Sequence, residues 1–229
     1  GEWGYFKAYH DNQVRRGVLT DGLGERWEIP GISIKSYPCC FLAHFGIEAT
    51  RDLVREHQLK PDDISAIDVR VTQGTYNVVG APIEAKRAPR TTQEALFSLP
   101  YTVAAAATSG ALTLAEMTPA AIADPNVRAL AQRVGVRVDA DLERAHGLGI
   151  GPSIVDIDLK GGGRLSRRVD RVKGHPDQPM EFDDCAVKFM SCAPFAAKPL
   201  DRAKLERLID RVGHLEQVAD VGELIGYVT

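Results

Sequence analysis

Apolar and polar residues alternate most cleanly across residues 64–72, where Ile67, Val69 and Val71 stand against Ala66, Asp68 and Arg70. A period of two predicts a strand with one buried face. Residues 154–159 and 167–172 flank the turn Lys160-Gly161-Gly162-Gly163, a hairpin signal. Shorter strands are predicted at Ile32 and Ile34, ending at Lys35, and from Val136 and Val138 onward. Between them the spacing becomes helical. Trp3, Phe6 and Tyr9 mark a helix over residues 1–11, and Asp21-Gly22-Leu23-Gly24 forms a turn. Phe41, Phe45, Ile47, Ala49, Leu53 and Val54 mark a helix over residues 39–58, which Pro61-Asp62-Asp63 closes off. Residues 92–109 form the strongest helical window, with Thr91 or Thr92 as N-cap, Gly110 as the stop and a kink at Pro100. One or two short helices fall within residues 119–134, separated near Asp124-Pro125. Residues 182–190 and 201–212 read as two more, followed by a short tail over residues 218–225.

Short strands interleaved with helices, one pair of them a hairpin, predict an α+β fold with a mixed or antiparallel sheet. At 229 residues the chain has room for one large domain, or one domain with an appendage. The net charge of −3, with both signs interspersed, gives no basic stripe for nucleic acid. No apolar run approaches the roughly 20 residues of a membrane span, and no signal segment opens the sequence, so the cytoplasm is expected. Cys39, Cys40, Cys185 and Cys192 lack metal-ligand spacing, which argues for reduced thiols and against zinc or an iron–sulfur cluster. The glycine triplet lacks the lysine and helix of a phosphate loop, and no Gly-x-Ser-x-Gly elbow is present.

Chemistry concentrates in residues 35–44, Lys-Ser-Tyr-Pro-Cys-Cys-Phe-Leu-Ala-His. The pattern puts an amine, a thiol and an imidazole at a predicted strand-to-helix junction, where unused backbone donors and the helix start favour an anion. Lys35 is either a solvated lysine or a point charge for a carboxylate. Cys40 is either a small hydrophobe or an acid, base or nucleophile; for Cys39 the hydrophobe is the better reading. His44 lies one helical turn beyond Cys40 and either orients a neighbour or fills a polar niche. Tyr76, in the polar loop 73–77, either closes the preceding strand against the core or donates to a carboxylate or a developing enolate oxygen. Arg90, in a basic loop with Lys86 and Arg87, is solvated charge or a bidentate carboxylate ligand.

The stretch Lys35-x-Tyr37-Pro38-x-Cys40-x-x-x-His44 resembles a motif of the MmgE/PrpD family, which includes 2-methylcitrate dehydratases, cis-aconitate decarboxylases and iminodisuccinate epimerases. Two more segments are similar to that family: Pro89-Arg90-Thr91 through Glu94-Ala95-Leu96-Phe97-Ser98-Leu99-Pro100-Tyr101, and Gly174-His175-Pro176 with Pro179-Met180 and Lys188-Phe189. The resemblance implies a small lid-like α/β domain over residues 20–180. Residues 1–19 would end an all-helical domain, and the helices of residues 181–229 would pack on that domain or on a partner. Only the C-terminal half of the family is represented, as a truncated form or as one subunit of a split enzyme. The implied activity is a cofactor-independent lyase, a hydro-lyase resembling 2-methylcitrate dehydratase, acting on small di- or tricarboxylates. Isomerisation or epimerisation, decarboxylation and non-catalytic carboxylate binding are the alternatives. Cys40 and Tyr76 would be catalytic, and Lys35, His44 and Arg90 would bind substrate, with no metal. The family's principal acid–base residues lie mostly in the other half, so a helical domain or subunit is the expected partner, in a homo- or hetero-oligomer. Decarboxylase-type members can carry histidine where this chain has Cys40.

Overall fold

The computed structural model describes residues 4–147 and 150–229. The chain divides into two units, Gly1–Ser33 and Ile34–Thr229. In the first, helix α1 (Tyr5–His10) buries none of its residues, and Tyr9 is exposed. Trp3, the third member of the predicted stripe, lies outside the described residues. Gly22 and Gly24 take φ of +71° and +82° in the predicted turn, a conformation for which glycine is the default.

The second unit is built on four strands, β1 (Ile64–Val71), β2 (Val134–Val138), β3 (Ser153–Leu159) and β4 (Arg164–Val169), in the spatial order β2-β1-β3-β4. β2 runs parallel to β1, with Ile67 opposite Val134, whereas β3 is antiparallel to both β1 and β4. The sheet is therefore mixed and the fold is α+β. The register shifts between Ile64 and Ala66. That irregularity lets Ile64 and Ile67, three residues apart, both turn inward with Val69 and Val71.

Helices α2 (His44–His57) and α3 (Leu99–Ser109) pack against each other; α2 covers β3 and β4, and α3 covers β2. A Cβ on Gly46 would stand 3.0 Å from Leu99 Cδ1 and 3.4 Å from Val69 Cγ1, so this glycine sets how closely α2 approaches α3 and the sheet. Every residue from Leu99 to Ala107 is buried, and the small side chains Ala104 to Ala107 suit that crowding. Further along lie α4 (Pro125–Ala131), α5 (Ala140–His146), α6 (Phe182–Cys192) and α7 (Arg202–Gly213). Among the described residues no helix is long and apolar enough to cross a membrane.

The other sheet face is polar and held by ion pairs. Arg137 reaches Asp68 at 2.7 Å, Arg70 lies 3.2 Å from both Asp139 and Asp156, and Arg164 takes Asp158 with two hydrogen bonds of 2.6 and 2.8 Å. Asp158 and Arg164 are direct cross-strand partners, where opposite charges are favourable. A sheet built largely of antiparallel pairs can keep one face polar in this way.

Four sequence expectations change. Ile32 and Ile34 do not form a strand; both are exposed, and the segment makes one ladder-like bond, from Ile34 N–H to the Gly174 carbonyl at 2.8 Å. The helix expected from residue 39 begins at His44, after a 3-10 turn at Phe41–Ala43, because Cys40 N–H is taken by the Leu96 carbonyl at 2.9 Å. The window 92–109 is broken rather than kinked. Ser98 caps α3 by accepting from Tyr101 N–H at 3.0 Å, and Pro100 sits in the first turn, where its missing donor costs nothing. The loop at 73–77 is helical, with Gln73–Thr75 running into a π-helical turn, Tyr76–Gly80. α5 was not predicted at all. The hairpin turn, the Asp124 break and the Gly110 stop are where the pattern placed them, but the second hairpin strand follows the turn directly at Arg164–Val169 rather than at 167–172, and the strand expected from Val136 onward is Val134–Val138, which ends at Val138.

Candidate active site

Residues 34–40 form an irregular segment that runs from the exposed Ile34 and Lys35 down to the buried Tyr37 and Cys39, tied to its surroundings at several points. Beyond the Ile34 bond, Ser36 Oγ donates to the Lys173 carbonyl at 2.6 Å, and Lys188 Nζ donates to the Lys35 carbonyl at 2.6 Å. A Cβ on Gly174, whose φ is +93°, would stand 2.0 Å from the Ile34 carbonyl oxygen. Only glycine fits there. The Gly174-His175-Pro176 turn thus serves as a cradle for the backbone on which Lys35 sits, and the Lys35 side chain is left exposed.

Cys39 and Cys40 part ways. Cys39 is buried, and desolvation, reinforced by the neighbouring Cys40, pushes its thiol up to about 12, with Lys35 opposing. It belongs to the core. Cys40 is only partly covered. All four cysteines are free, and among the described residues no three His, Cys, Asp or Glu side chains gather as a metal-ligand set.

His44 is fully buried, its ring edge-on to Tyr37 at 5.0 Å and tilted against Phe41 at 5.0 Å. Neither ring nitrogen has a hydrogen bond. Burial lowers its pKa to about 4; main-chain groups of Cys39 and Tyr37 pull the other way from outside hydrogen-bond geometry, and the Lys35 and Lys188 charges lower it further. The imidazole is therefore neutral near pH 7, and in this structure it sits beneath the surface rather than on it.

Tyr76 opens the π-helical turn, half-buried against the core; a Cβ on Gly80 would come within 3.0 Å of its ring. Single π-helical turns are rare, frequently at functional sites. This turn packs against the Phe41–Ala43 turn, which brings the Tyr76 and Cys40 segments together. Lys86 joins them. Its Nζ donates to the Val78 carbonyl at 2.9 Å and to the Phe97 carbonyl at 2.7 Å, desolvation lowers its pKa, and Cys40 is close enough to pull that pKa back up.

Arg90 is placed differently. Its guanidinium is largely exposed, 4.0 Å from Glu94, and its backbone N–H is capped by that same carboxylate at 2.7 Å. Its hydrogen bond and ion pair both go to Glu94, and none reaches Lys35, Cys40 or Tyr76. In the sequence Lys188 stands out only as half of the Lys-Phe pair, and Lys86 reads as solvated loop charge. Periodicity finds neither, since Lys188 acts on a carbonyl 153 residues away and Lys86 on carbonyls 8 and 11 residues away that only the turns around it bring within reach.

An open cavity of about 650 Å³ borders this segment, with Ser36, Tyr37, Pro38, Glu48, Arg51, Lys173 and Lys188 among its walls. Its charges are largely spent internally. Arg51 donates to Tyr37 Oη at 2.8 Å and to the Gly110 carbonyl at 3.0 Å, and Lys173 pairs with Asp184 at 2.7 Å.

Residues 37–214 match the model of the MmgE/PrpD C-terminal domain, and the chain belongs to the MmgE/PrpD family. Among curated proteins it is 25% identical over 225 residues to the cis-aconitate decarboxylase-like protein oryM of Aspergillus oryzae. The match spans 95% of this chain and 44% of that relative, so the chain covers under half the relative's length.

Proposed function

We propose that the chain forms the carboxylate-holding part of a cofactor-independent lyase site for small di- or tricarboxylates, completed by a helical domain or subunit that supplies the principal base. The observation that carries the reading is the placement of the lysines: Lys188 Nζ donates to the Lys35 carbonyl at 2.6 Å, and Lys86 Nζ lies between the carbonyls of Val78, in the turn that Tyr76 opens, and Phe97, next to the Leu96 carbonyl that takes the Cys40 N–H. Removing a proton next to a carboxylate builds negative charge on that carboxylate's oxygens, and fixed cations and hydroxyl donors stabilise such charge. Lys35 holds a carboxylate, Tyr76 donates its hydroxyl proton in a hydrogen bond to the enolate-like oxygen, and Cys40 serves as an acid or base. In this reading His44 stays neutral and supports Tyr37 and Phe41 from below. Arg90 takes a carboxylate only if the partner's surface brings substrate to it.

The favoured reaction is dehydration: the base takes the proton, the neighbouring carbon loses hydroxide, and a second proton turns that hydroxide into water. Decarboxylation is the second reading, favoured by the name of the A. oryzae relative. The test is to combine the chain with a helical half from the family and offer methylcitrate, aconitate and iminodisuccinate, following water loss, carbon dioxide release and epimerisation separately. Alkene formation from methylcitrate is expected. Carbon dioxide from aconitate without dehydration would establish the second reading, and no turnover of any of the three would reject both.

A further inference from the structure

Lys86 is bound at both ends of its length. Its ammonium bridges the carbonyls of Val78, in the π-helical turn that Tyr76 opens, and Phe97. At the other end, its own carbonyl accepts from Ser98 Oγ, the group that also caps α3. The residue before Phe97, Leu96, accepts the N–H of Cys40 at 2.9 Å. Lys86 therefore links the turn that carries Tyr76 to the Leu96–Ser98 segment, to which Cys40 is hydrogen-bonded, with Ser98 fixing its root. Two of its three ammonium donors are spent on main-chain carbonyls, an expensive use for a partly desolvated charge.

We infer that Lys86 is the positioning residue of the site: a strut that holds the Tyr76 turn at a fixed distance from the Leu96–Ser98 turn, and hence from Cys40. The inference rests on the reading that Tyr76 and Cys40 face the substrate. The strut is needed because a π-helical turn leaves main-chain groups out of the regular helical ladder, and Val78 is exposed. Without the ammonium, the Val78 carbonyl goes to water and the turn is free to rewind.

Two variants separate positioning from plain structure. Lys86→Met keeps the stem and removes the donors; Lys86→Arg keeps donors of similar reach. In the enzyme completed by its helical half, Lys86→Met is expected to lower kcat about 10-fold or more with KM changed by less than about 3-fold, and Lys86→Arg to recover most of the loss. Hydrogen exchange reads the strut independently of turnover. The Ala81 amide, which closes the π-turn on the Tyr76 carbonyl at 2.8 Å, and the Cys40 amide should exchange about 10-fold faster in Lys86→Met and at the parent rate in Lys86→Arg. Unchanged exchange in Lys86→Met would overturn the strut whatever the activity. A wild-type enzyme inert toward carboxylates, with exchange altered as expected, would reject the proposed function and leave the strut standing. A parallel fall in every amide's protection, not rescued by arginine, would make Lys86 a general stability residue and overturn the positioning role.

Discussion

Ile34 and Gly174 are locked by contact in both directions: Ile34 donates its N–H to the Gly174 carbonyl at 2.8 Å, and any Cβ on Gly174 would fall 2.0 Å from the Ile34 carbonyl oxygen. Lys35 follows immediately. The glycine of the Gly-His-Pro turn is thus a requirement of the candidate site's geometry, although no atom of it faces a substrate.

Gly174→Ala should cost about 2 kcal/mol or more, since the substitution combines a positive φ with a backbone clash. Urea unfolding should show a lowered midpoint with an unchanged slope. An alanine variant as stable as the parent would mean that the Ile34 segment moves aside freely, and the cradle would lose its meaning.

His44 makes stability depend on pH. Its folded pKa, about 4, lies below the ordinary 6.5, so between those values the unfolded chain binds a proton that the folded chain refuses. The contribution is fully present above pH 6.5, is lost as pH falls through this window, and amounts to up to about 3 kcal/mol. Denaturant midpoints for the parent and for His44→Phe should lie closest above pH 6.5, if phenylalanine packs in the same niche, and separate toward the acid end of the window as the parent alone loses stability. Parallel curves would show that His44 titrates normally.

Asp139 does two jobs at the edge of the polar sheet face. Its carboxylate caps α5, accepting from the N–H groups of Asp141 at 2.9 Å and Leu142 at 3.1 Å, and it pairs with Arg70 at 3.2 Å. These backbone bonds, with Arg70, hold its pKa below the usual carboxylate range, so the benefit is lost as pH falls below that range. Asp139→Ala should cost about 1 kcal/mol, the typical loss of an N-cap, and Asp139→Asn distinctly less because the cap survives. Equal thermal shifts for the two variants would put the weight on the ion pair instead.

The elements that depend on local pattern were legible in the sequence. Alternation located β1, the glycine turn located the hairpin, and Thr91, Gly110 and Asp124 marked helix ends, because each signal lies within a few residues of its effect. The site was legible only in part. Lys35, Cys40 and Tyr76 were recognisable from motifs, but the burial of His44 depends on Tyr37 and Phe41 closing over it, and the isolation of Arg90 on Glu94 holding its backbone. The π-helical turn has no sequence signature. Lys86 and Lys188 gain their roles from carbonyls at Phe97 and Lys35, contacts that only the fold creates.

Calorimetric titration of the completed enzyme with a tricarboxylate, for the parent and for Lys35→Ala, tests most directly whether these lysines hold substrate. Loss of one charge-assisted contact costs about 1.5–3 kcal/mol, so the alanine variant should bind roughly 10- to 150-fold more weakly, with a monocarboxylate of the same skeleton bound poorly by both. Equal affinity of parent and variant for the tricarboxylate would return Lys35 to the solvent and contradict the carboxylate site.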